Sequence, residues 1–306
     1  MALLENETRI AVKNMLWATD LSVSSRIAVP YVLGLARRNG ARLYVIHVVK
    51  ADSDDRFAPY ENGDLFEERR RHAEKMIVDL RSSGRLQDIR HLVLVREGQI
   101  VETLCRTIRD YEIDLTVIGI RYHAGTKDLL LSPVAERLVR WASCPVLAIG
   151  FRCVGGFGQD ALLRNIICVT DLSPDSLAAT DYSLSLARDH QAKLTILYAQ
   201  GCVIAEDWDG RISVLEAFSI RGTEKRGQNQ LADECSSPAM RILAAAQEQQ
   251  ADLIVLGTRR TALGERLPHL SAYEVISKAS CPVLTVPDGT AIADGRLGNG
   301  ERPRAA

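Results

Sequence analysis

The sequence lacks both a long apolar run and an excess of charge of either sign. Its 306 residues contain no apolar stretch of about 18 residues, the length that crosses a bilayer. Lysine and arginine together number 38, against 39 aspartates and glutamates, so no overall field favours a nucleic acid. The first residues show neither the basic nor the apolar segment of a secretory signal. We therefore expect a cytoplasmic protein with no membrane partner and no nucleic-acid partner.

Paired cysteine motifs are missing too. The seven cysteines include no Cys-x-x-Cys spacing, and the six histidines form no cluster with each other or with cysteine. Four of the cysteines stand among apolar residues, which is typical of small core side chains: Cys105, Cys144, Cys168 and Cys281. This pattern predicts reduced thiols and no bound metal.

Signatures of common catalytic sites are also missing. The sequence contains no Walker A loop, no Gly-x-Ser-x-Gly, no Ser-Gly-Gly-x-Asp-Ser and no His-x-Gly-His. Asp64, Glu67 and Glu68 form an acidic cluster, but they head a predicted helix, where negative charge is favoured by the helix dipole. No base and nucleophile stand in a pattern that indicates catalysis, so we expect that the protein is not an enzyme.

What the sequence does contain is clearest between residues 113 and 149. Residues 113–119 form an apolar, partly β-branched run ending in glycine, which predicts a buried parallel strand followed by a loop. Apolar residues then recur at helical spacing, at Ala135, Leu138, Val139 and Ala142. Residues 143–149 form a second apolar run. This order predicts a parallel βαβ unit, whose first loop lies where such folds bind ligands.

The sequence repeats itself. The block from Asn14 to Leu43, which contains Thr-Asp-Leu-Ser, recurs from Asn165 to Leu194 at a constant shift of 151 positions. Ala-Ser-Cys-Pro-Val-Leu begins at Ala142 and begins again at Ala279. An internal repeat of this length predicts two copies of one α/β domain.

The repeat divides the chain into four parts. They are a first domain, 1–150, a linker, 151–164, a second domain, 165–287, and a disordered tail, 288–306, rich in glycine, proline and charge. In the second domain, residues 201–237 are polar and show no counterpart of the third strand or of the helix before it. The second copy is therefore predicted to be shortened. The helix that follows is placed on Met240, Leu243, Ala244 and Gln247.

Several of these segments resemble one known family. A first strand ending Ala-Thr-Asp-Leu-Ser, a later Asp-Leu-x-Val-Ile-Gly and a closing Ala-x-Cys-Pro-Val-Leu are similar to motifs of the universal stress proteins. The resemblance covers both copies. It implies parallel sheets flanked by helices in the adenine-nucleotide alpha-hydrolase-like superfamily, with five strands in the first copy. It also implies antiparallel pairing of Val146–Ile149 with Val283–Val286, either within one chain or across a homodimer.

Members of this family that bind ATP carry a loop of the form Gly, two residues, Gly, nine residues, Gly, then Ser or Thr. Glycines let backbone N–H groups approach the phosphates, and the last pair opens a helix whose N-terminus attracts anions. The first copy keeps Gly119 but has Tyr122, Ser132 and Pro133 at the three later positions. The resemblance therefore implies a degraded nucleotide loop in this copy.

The second copy departs from the motif in a similar way. It keeps Gly257, has Arg260 at the second glycine, and ends on Leu270 and Ser271, or on His269 and Leu270 when aligned from the following Cys-Pro. Both loops are basic, with Arg121, His123 and Lys127 in the first copy and Arg259, Arg260 and Arg266 in the second. A phosphate held by charge and a merely solvated loop are the two explanations.

The resemblance implies that nucleotide contacts lie at strand ends and at the start of the closing helix. The candidate residues are Thr19, Asp20, Val48, Gly119, Ser132, Val134, Asp171, Gly257 and Ser271. The two aspartates have an alternative role, because Asp before Leu-Ser can cap the next helix. The two glycines can equally serve as turn residues at strand ends.

Three hypotheses about function follow. The favoured one is a non-catalytic stress-response or signalling module for which no cofactor is expected. The second is weak binding of ATP or AMP with Mg²⁺ in the first domain, with at most slow hydrolysis. The third is a separate small-ligand or protein site within residues 201–237.

Overall fold

In the part of the chain that the structure describes, ten strands form one central sheet. The computed structural model describes residues 10–50, 62–120, 131–153, 157, 162–170, 174–198, 237–260, 266–268, 272–288 and 290. The strands are β1 Asn14–Ala18, β2 Arg42–Val49, β3 His91–Glu97, β4 Leu115–Gly119, β5 Val146–Ile149, β6 Asn165–Thr170, β7 Lys193–Tyr198, β8 Leu253–Arg260, β9 Arg266–Pro268 and β10 Val283–Pro287.

Helices cover both faces of this sheet. They are α1 Val23–Arg26, α2 Val29–Asn39, α3 Asn62–Ser82, α4 Ile100–Asp110, α5 Pro133–Trp141, α6 Pro174–His190, α7 Pro238–Glu248 and α8 Ala272–Lys278. Pro30 lies in the first turn of α2, where its missing N–H breaks no helical hydrogen bond. Gly40 ends α2 in the left-handed conformation, with a φ of 59°.

The strand order joins two similar sheets. It runs β3-β2-β1-β4-β5-β10-β8-β6-β7, with β9 paired to the side of β8. Strands β1–β5, the first half, are parallel to one another, and so are β6, β7, β8 and β10 of the second half. The predicted fold class is therefore confirmed. The segment 201–237, predicted to lack a strand and a helix, lies outside the described residues except for Ser237.

The two halves meet through antiparallel pairing of β5 with β10. Val283 pairs with Ala148, and Leu284 with Leu147. Of the two alternatives for these strands, pairing within one chain is the one that the structure shows. A second contact lies above the sheet, where Arg140 Nε of α5 donates a 2.7 Å hydrogen bond to the hydroxyl of Tyr273 in α8. The halves therefore share strands and a helix layer.

Alternation along the strands supplies two cores, one on each face. Met15 and Trp17 of β1 belong to the core on the face that carries α2 and α6. Leu16 belongs to the core on the opposite face, which carries α4, α5, α7 and α8. Both cores contain residues of both halves, such as Leu138 and Val275 in the second of these layers. The apolar cores therefore continue across the junction without a break.

One helix and one strand differ from the sequence-based expectation. The predicted placement of α7 put Met240 on its pattern, but Met240 is 48% exposed, and the buried residues are Ala239, Ile242 and Ala246. Because two of the three buried residues of this helix are alanines, the hydrophobicity pattern did not identify which face of the helix is buried. Strand β9 was not predicted, since three residues paired antiparallel to β8 leave no periodic signal.

The carboxylate of Asp114, just before β4, is hydrogen-bonded to the start of β1 in the first half. Asp114 Oδ2 accepts hydrogen bonds from the backbone N–H groups of Lys13, at 2.7 Å, and Asn14, at 2.8 Å. Asp252 does the same in the second half, accepting from Arg164 at 2.7 Å and Asn165 at 2.9 Å. The repeated aspartate thus has a structural role in both copies.

Replacing Asp114 by alanine should lower the free energy of unfolding by about 1–2 kcal/mol, since two charge-assisted hydrogen bonds to partly exposed N–H groups are lost. Asp252→Ala should have a similar effect. Urea unfolding followed by circular dichroism measures both, with Asp88→Ala, an exposed residue outside the strands, as control. Equal stability of all three variants would contradict the structural role.

His190 lies at the contact between α6 and the chain that leads into β6. Its Nδ1 accepts a hydrogen bond from the backbone N–H of Leu163 at 3.1 Å, and the side chain is 8% exposed. Burial, together with the charge of Arg38, lowers the pKa of His190 from 6.5 to about 4. The ring is therefore neutral in the folded protein at neutral pH.

This pKa predicts a loss of stability in acid. Between pH 6.5 and about 4 the unfolded chain binds a proton at His190 that the folded chain does not, so stability should fall as the pH drops through this window. His190→Asn should reduce the fall, measured by urea unfolding at a series of pH values. His72→Asn, at an exposed position of α3, is the control and should leave the profile unchanged.

Candidate functional site

The carboxyl ends of β1, β2 and β4 meet at one edge of the first half. Ala18 pairs with Ile46 of β2 and with Ile118 of β4, so the residues after Ala18 lie between those two strand ends. The ring of His47 confirms this closeness, because its Nδ1 is 3.0 Å from the carbonyl oxygen of Thr19. Since β1 is the strand at which the chain order reverses, this edge is where open α/β sheets bind ligands.

Thr19 and Asp20 hold the backbone turn that follows β1. Thr19 Oγ1 accepts the N–H of Leu21 at 3.0 Å and lies 2.9 Å from Ser25 Oγ. Asp20 Oδ1 accepts the N–H of Ser22 at 3.0 Å, an Asx turn. Leu21 itself has a φ of 66°, a left-handed conformation that costs about 1 kcal/mol in a residue other than glycine. These two side chains therefore stabilise an unfavourable turn.

The helix cap that was the alternative role for Asp20 is instead supplied by Ser22, two residues further on. Ser22 Oγ accepts the N–H of Ser25 at 3.2 Å and so caps the short helix α1. In the second half, Thr170 Oγ1 lies 2.7 Å from Ser176 Oγ, which reproduces the Thr19–Ser25 pair. Asp171 lies outside the described residues. Sequence reasoning did not identify Ser25 and Ser176 as partners of these threonines, although the two serines are related by the repeat's shift of 151 positions.

The N-terminus of α5 has few amides left for an anion. Ser132 is its N-cap, and Ser132 Oγ accepts the N–H of Ala135 at 3.2 Å. Pro133, the first helical residue, has no N–H. Of the first three helical residues, only Val134 can still offer a backbone N–H. The structure thus gives Ser132 a capping role at the position where the nucleotide-binding motif has glycine.

The other candidate residues are placed as follows. Val48 is buried in the core of the first half, Val134 packs against the same core, and Gly119 ends β4 opposite Ile149. Gly257 does not end a strand, because it lies within β8 and pairs with Val286 of β10. Of the two roles considered for Gly257, the one as a turn residue at a strand end is therefore not realised. Ser271 lies outside the described residues.

The thiols that the structure describes are all buried. Burial raises the pKa of Cys144 to about 12, with Thr116 lowering it slightly, and raises the pKa of Cys281 to about 12 and of Cys153 to about 11. Thiols with such pKa values are not nucleophiles at neutral pH. In the described ranges, no group of three His, Cys, Asp or Glu side chains could hold a metal ion.

The described residues at this edge depart from the phosphate-binding motif, and the loop with Arg121, His123 and Lys127 lies outside the described residues. A cradle for phosphate needs free backbone N–H groups at the helix start and glycines beside them. Here the helix start offers Val134 alone, Ser132 carries a side chain that caps the helix, and the hydroxyl of Thr19 serves its own turn. Among the described residues, this edge has the position of a ligand site with few free donors.

A parallel sheet with the order β3-β2-β1-β4-β5, joined through its last strand to a second parallel sheet with the matching order β7-β6-β8-β10, defines a tandem two-domain α/β protein. The model of the Universal stress protein family matches residues 11–150 and 163–287. The chain therefore belongs to the universal stress protein family. In the described part of the chain no helix has the length and apolar character needed to cross a membrane.

Known relatives agree with this assignment. Universal stress protein MJ0531 of Methanocaldococcus jannaschii is 29% identical over 143 residues, which is 41% of this chain and 82% of that protein. A universal stress protein from Archaeoglobus fulgidus is 20% identical with a TM-score of 0.67, covering 92% of this chain and 98% of its own. The functionally unknown protein PA1789 of Pseudomonas aeruginosa is 16% identical with a TM-score of 0.58, covering 93% and 95%. At these identities the two structures support the fold.

Ser132→Ala should lower the free energy of unfolding by about 1 kcal/mol, because the helix loses its N-cap. Ser237 caps α7 in the same way, accepting the N–H of Met240 at 3.3 Å, so Ser237→Ala is the matched comparison. Ser82→Ala, in the last turn of α3, should change stability little. Urea unfolding distinguishes these cases, and an unchanged or raised stability of Ser132→Ala would refute the capping role.

Proposed function

We propose that this universal stress protein is a non-catalytic stress-response or signalling module of the cytoplasm, acting through its surfaces. The observation that carries this proposal is the N-terminus of α5. The hydroxyl of its N-cap Ser132 accepts the N–H of Ala135, and Pro133 has no N–H to donate. The helix start that would bind phosphates in the family's motif is therefore occupied by the helix cap. A module of this kind responds through partners rather than through a reaction.

The turn after β1 supports the same proposal. In the first half, side-chain oxygens of Thr19 and Asp20 accept hydrogen bonds from the backbone N–H groups of Leu21 and Ser22. The second half repeats the hydroxyl pair as Thr170 and Ser176. A structural pair kept in both copies needs no ligand to explain it. The high pKa values of the buried thiols add that these cysteines offer no nucleophile.

An alternative is weak binding of ATP or AMP with Mg²⁺ in the first domain. The observation that favours it is the convergence of Thr19, Asp20 and Gly119 at the point where the strand order reverses. The amide of Val134 could still contact one phosphate. Such a site would bind weakly, and any hydrolysis would be slow, since few donors remain to stabilise developing charge.

A thermal-shift experiment with ATP or AMP and Mg²⁺ tests the choice. At millimolar nucleotide the proposal predicts a change in Tm of less than about 1 °C. A ligand present at a hundred times its Kd would add about 2.7 kcal/mol of stability and raise Tm by several degrees. Titration calorimetry and phosphate release, measured on the same samples, report binding and hydrolysis directly.

Two variants make the result decisive. The triple variant Tyr122→Gly, Ser132→Gly, Pro133→Ser restores the family's loop in the first copy and should bind ATP more tightly than the natural sequence. Asp20→Asn keeps the Asx turn but removes the charge, with Asp79→Asn on an exposed face of α3 as control. A large Tm shift of the natural protein with ATP, lost in Asp20→Asn and kept in Asp79→Asn, would establish the alternative.

A further inference from the structure

A cavity lies between the two halves, away from the edge described above. It has a volume of about 210 Å³ and opens between the C-terminal ends of α2 and α6, over the first residues of β4 and β8. The nucleotide edge of the first half is at the opposite ends of the strands, where β1 and β4 finish. The cavity is therefore a separate feature of the molecule, formed only because both halves share one sheet.

The walls of the cavity are apolar and related by the sequence repeat. Leu35 of α2 faces it together with Leu186 of α6, and Val12 together with Leu163, each pair separated by the repeat's shift of 151 positions. Side chains of the central strands, such as Leu147, form its floor. These apolar side chains can contact the hydrocarbon part of a ligand, while polar atoms make up a comparable share of the cavity's surface.

The polar end of the cavity breaks this symmetry. Arg38 of α2 corresponds to Asp189 of α6, and Asn39 corresponds to His190. Arg38 Nη2 donates a 2.7 Å hydrogen bond to the backbone oxygen of Asp189, which fixes the guanidinium at the rim between the helices. The rim therefore carries a cation from the first half and a histidine from the second, and neither is repeated at the matching position of the other half.

Most of the side-chain groups at this end are hydrogen-bond donors. His190 Nδ1 is occupied as an acceptor by the N–H of Leu163, so the neutral ring carries its proton on Nε2. The guanidinium of Arg38 adds further donors, whereas the carboxylate of Asp189 is the acidic group at this rim. A head group that accepts hydrogen bonds is complementary to this arrangement.

We propose that the cavity between α2 and α6 is a binding site for a small apolar carboxylate. The hydrocarbon part lies against the symmetric leucine and valine walls, and the carboxylate lies between Arg38 and the Nε2–H of His190. The volume suits one short aliphatic chain or one ring, less than a drug-sized molecule needs. Binding there would contact both halves at once, so the ligand would stabilise their junction.

This proposal does not depend on the proposed function of the nucleotide loop. The residues of the cavity belong to α2, α6 and the starts of strands, and none of them is among the candidate nucleotide contacts. Loss of ATP binding and binding of a carboxylate can therefore be measured separately in the same preparation.

Calorimetric titration of the full chain with octanoate tests the site. The expected result is saturable binding of one octanoate per chain, with a rise in Tm at excess ligand. Leu186→Phe and Leu35→Phe each fill the cavity and should weaken octanoate binding at least tenfold. Two variants are tested so that the result does not depend on the folding of either one, and each is used only if its thermal unfolding stays cooperative.

The head group is tested with a change of charge on either partner. Arg38→Gln should weaken octanoate binding about fivefold, the effect of a partly solvated ion pair, and leave octanol binding unchanged. Arg37→Gln, the neighbouring exposed arginine outside the cavity, is the control and should have no effect. Absence of saturable binding, or binding that survives in a folded cavity-filling variant, would overturn the proposal, as would octanol binding as tightly as octanoate.

Discussion

The antiparallel pairing of β5 with β10 is the constraint on which the rest of the structure depends. Without it, each half would end its parallel sheet on an unpaired edge strand of four or five residues, all of them buried in the structure. An exposed apolar edge of that kind is a site of aggregation. Pairing the two edges inside one chain satisfies their backbone groups. It also places α5 beside α8 and α2 beside α6, so both cores and the cavity follow from it.

Much of this fold could be predicted because its signals are periodic or repeated. The strand, loop, helix and strand of residues 113–149 combine two clear periods, and the shift of 151 positions shows that the arrangement occurs twice. The failures have physical reasons. The buried face of α7 rests on two alanines and one isoleucine, so hydrophobicity could not fix its phase. Strand β9 exists only through its pairing with β8, and pairing partners distant in sequence leave no local pattern.

The candidate site shows the limit of sequence reasoning more sharply. Thr19, Asp20 and Ser132 are residue types that suit a phosphate contact and a helix cap equally well. Only geometry separates the two roles, since the same oxygen cannot serve both fully. The distances show these oxygens bonded to nearby backbone N–H groups, and the left-handed Leu21 shows why the turn needs that support. A family resemblance therefore locates the edge, whereas its chemistry must be read from hydrogen bonds.

Duplication within one chain has a further consequence. If two identical domains met through their last strands, every residue near the axis would face its own copy, and a cavity there would have two identical ends. In a tandem chain the two copies can change independently. The apolar walls have stayed matched, as Leu35 and Leu186 show, because both sides must pack on one sheet. The rim has diverged into Arg38 opposite Asp189, and Arg38 reaches across the axis to the backbone oxygen of Asp189. The fold thus keeps symmetry where packing requires it and loses symmetry where a ligand would be oriented.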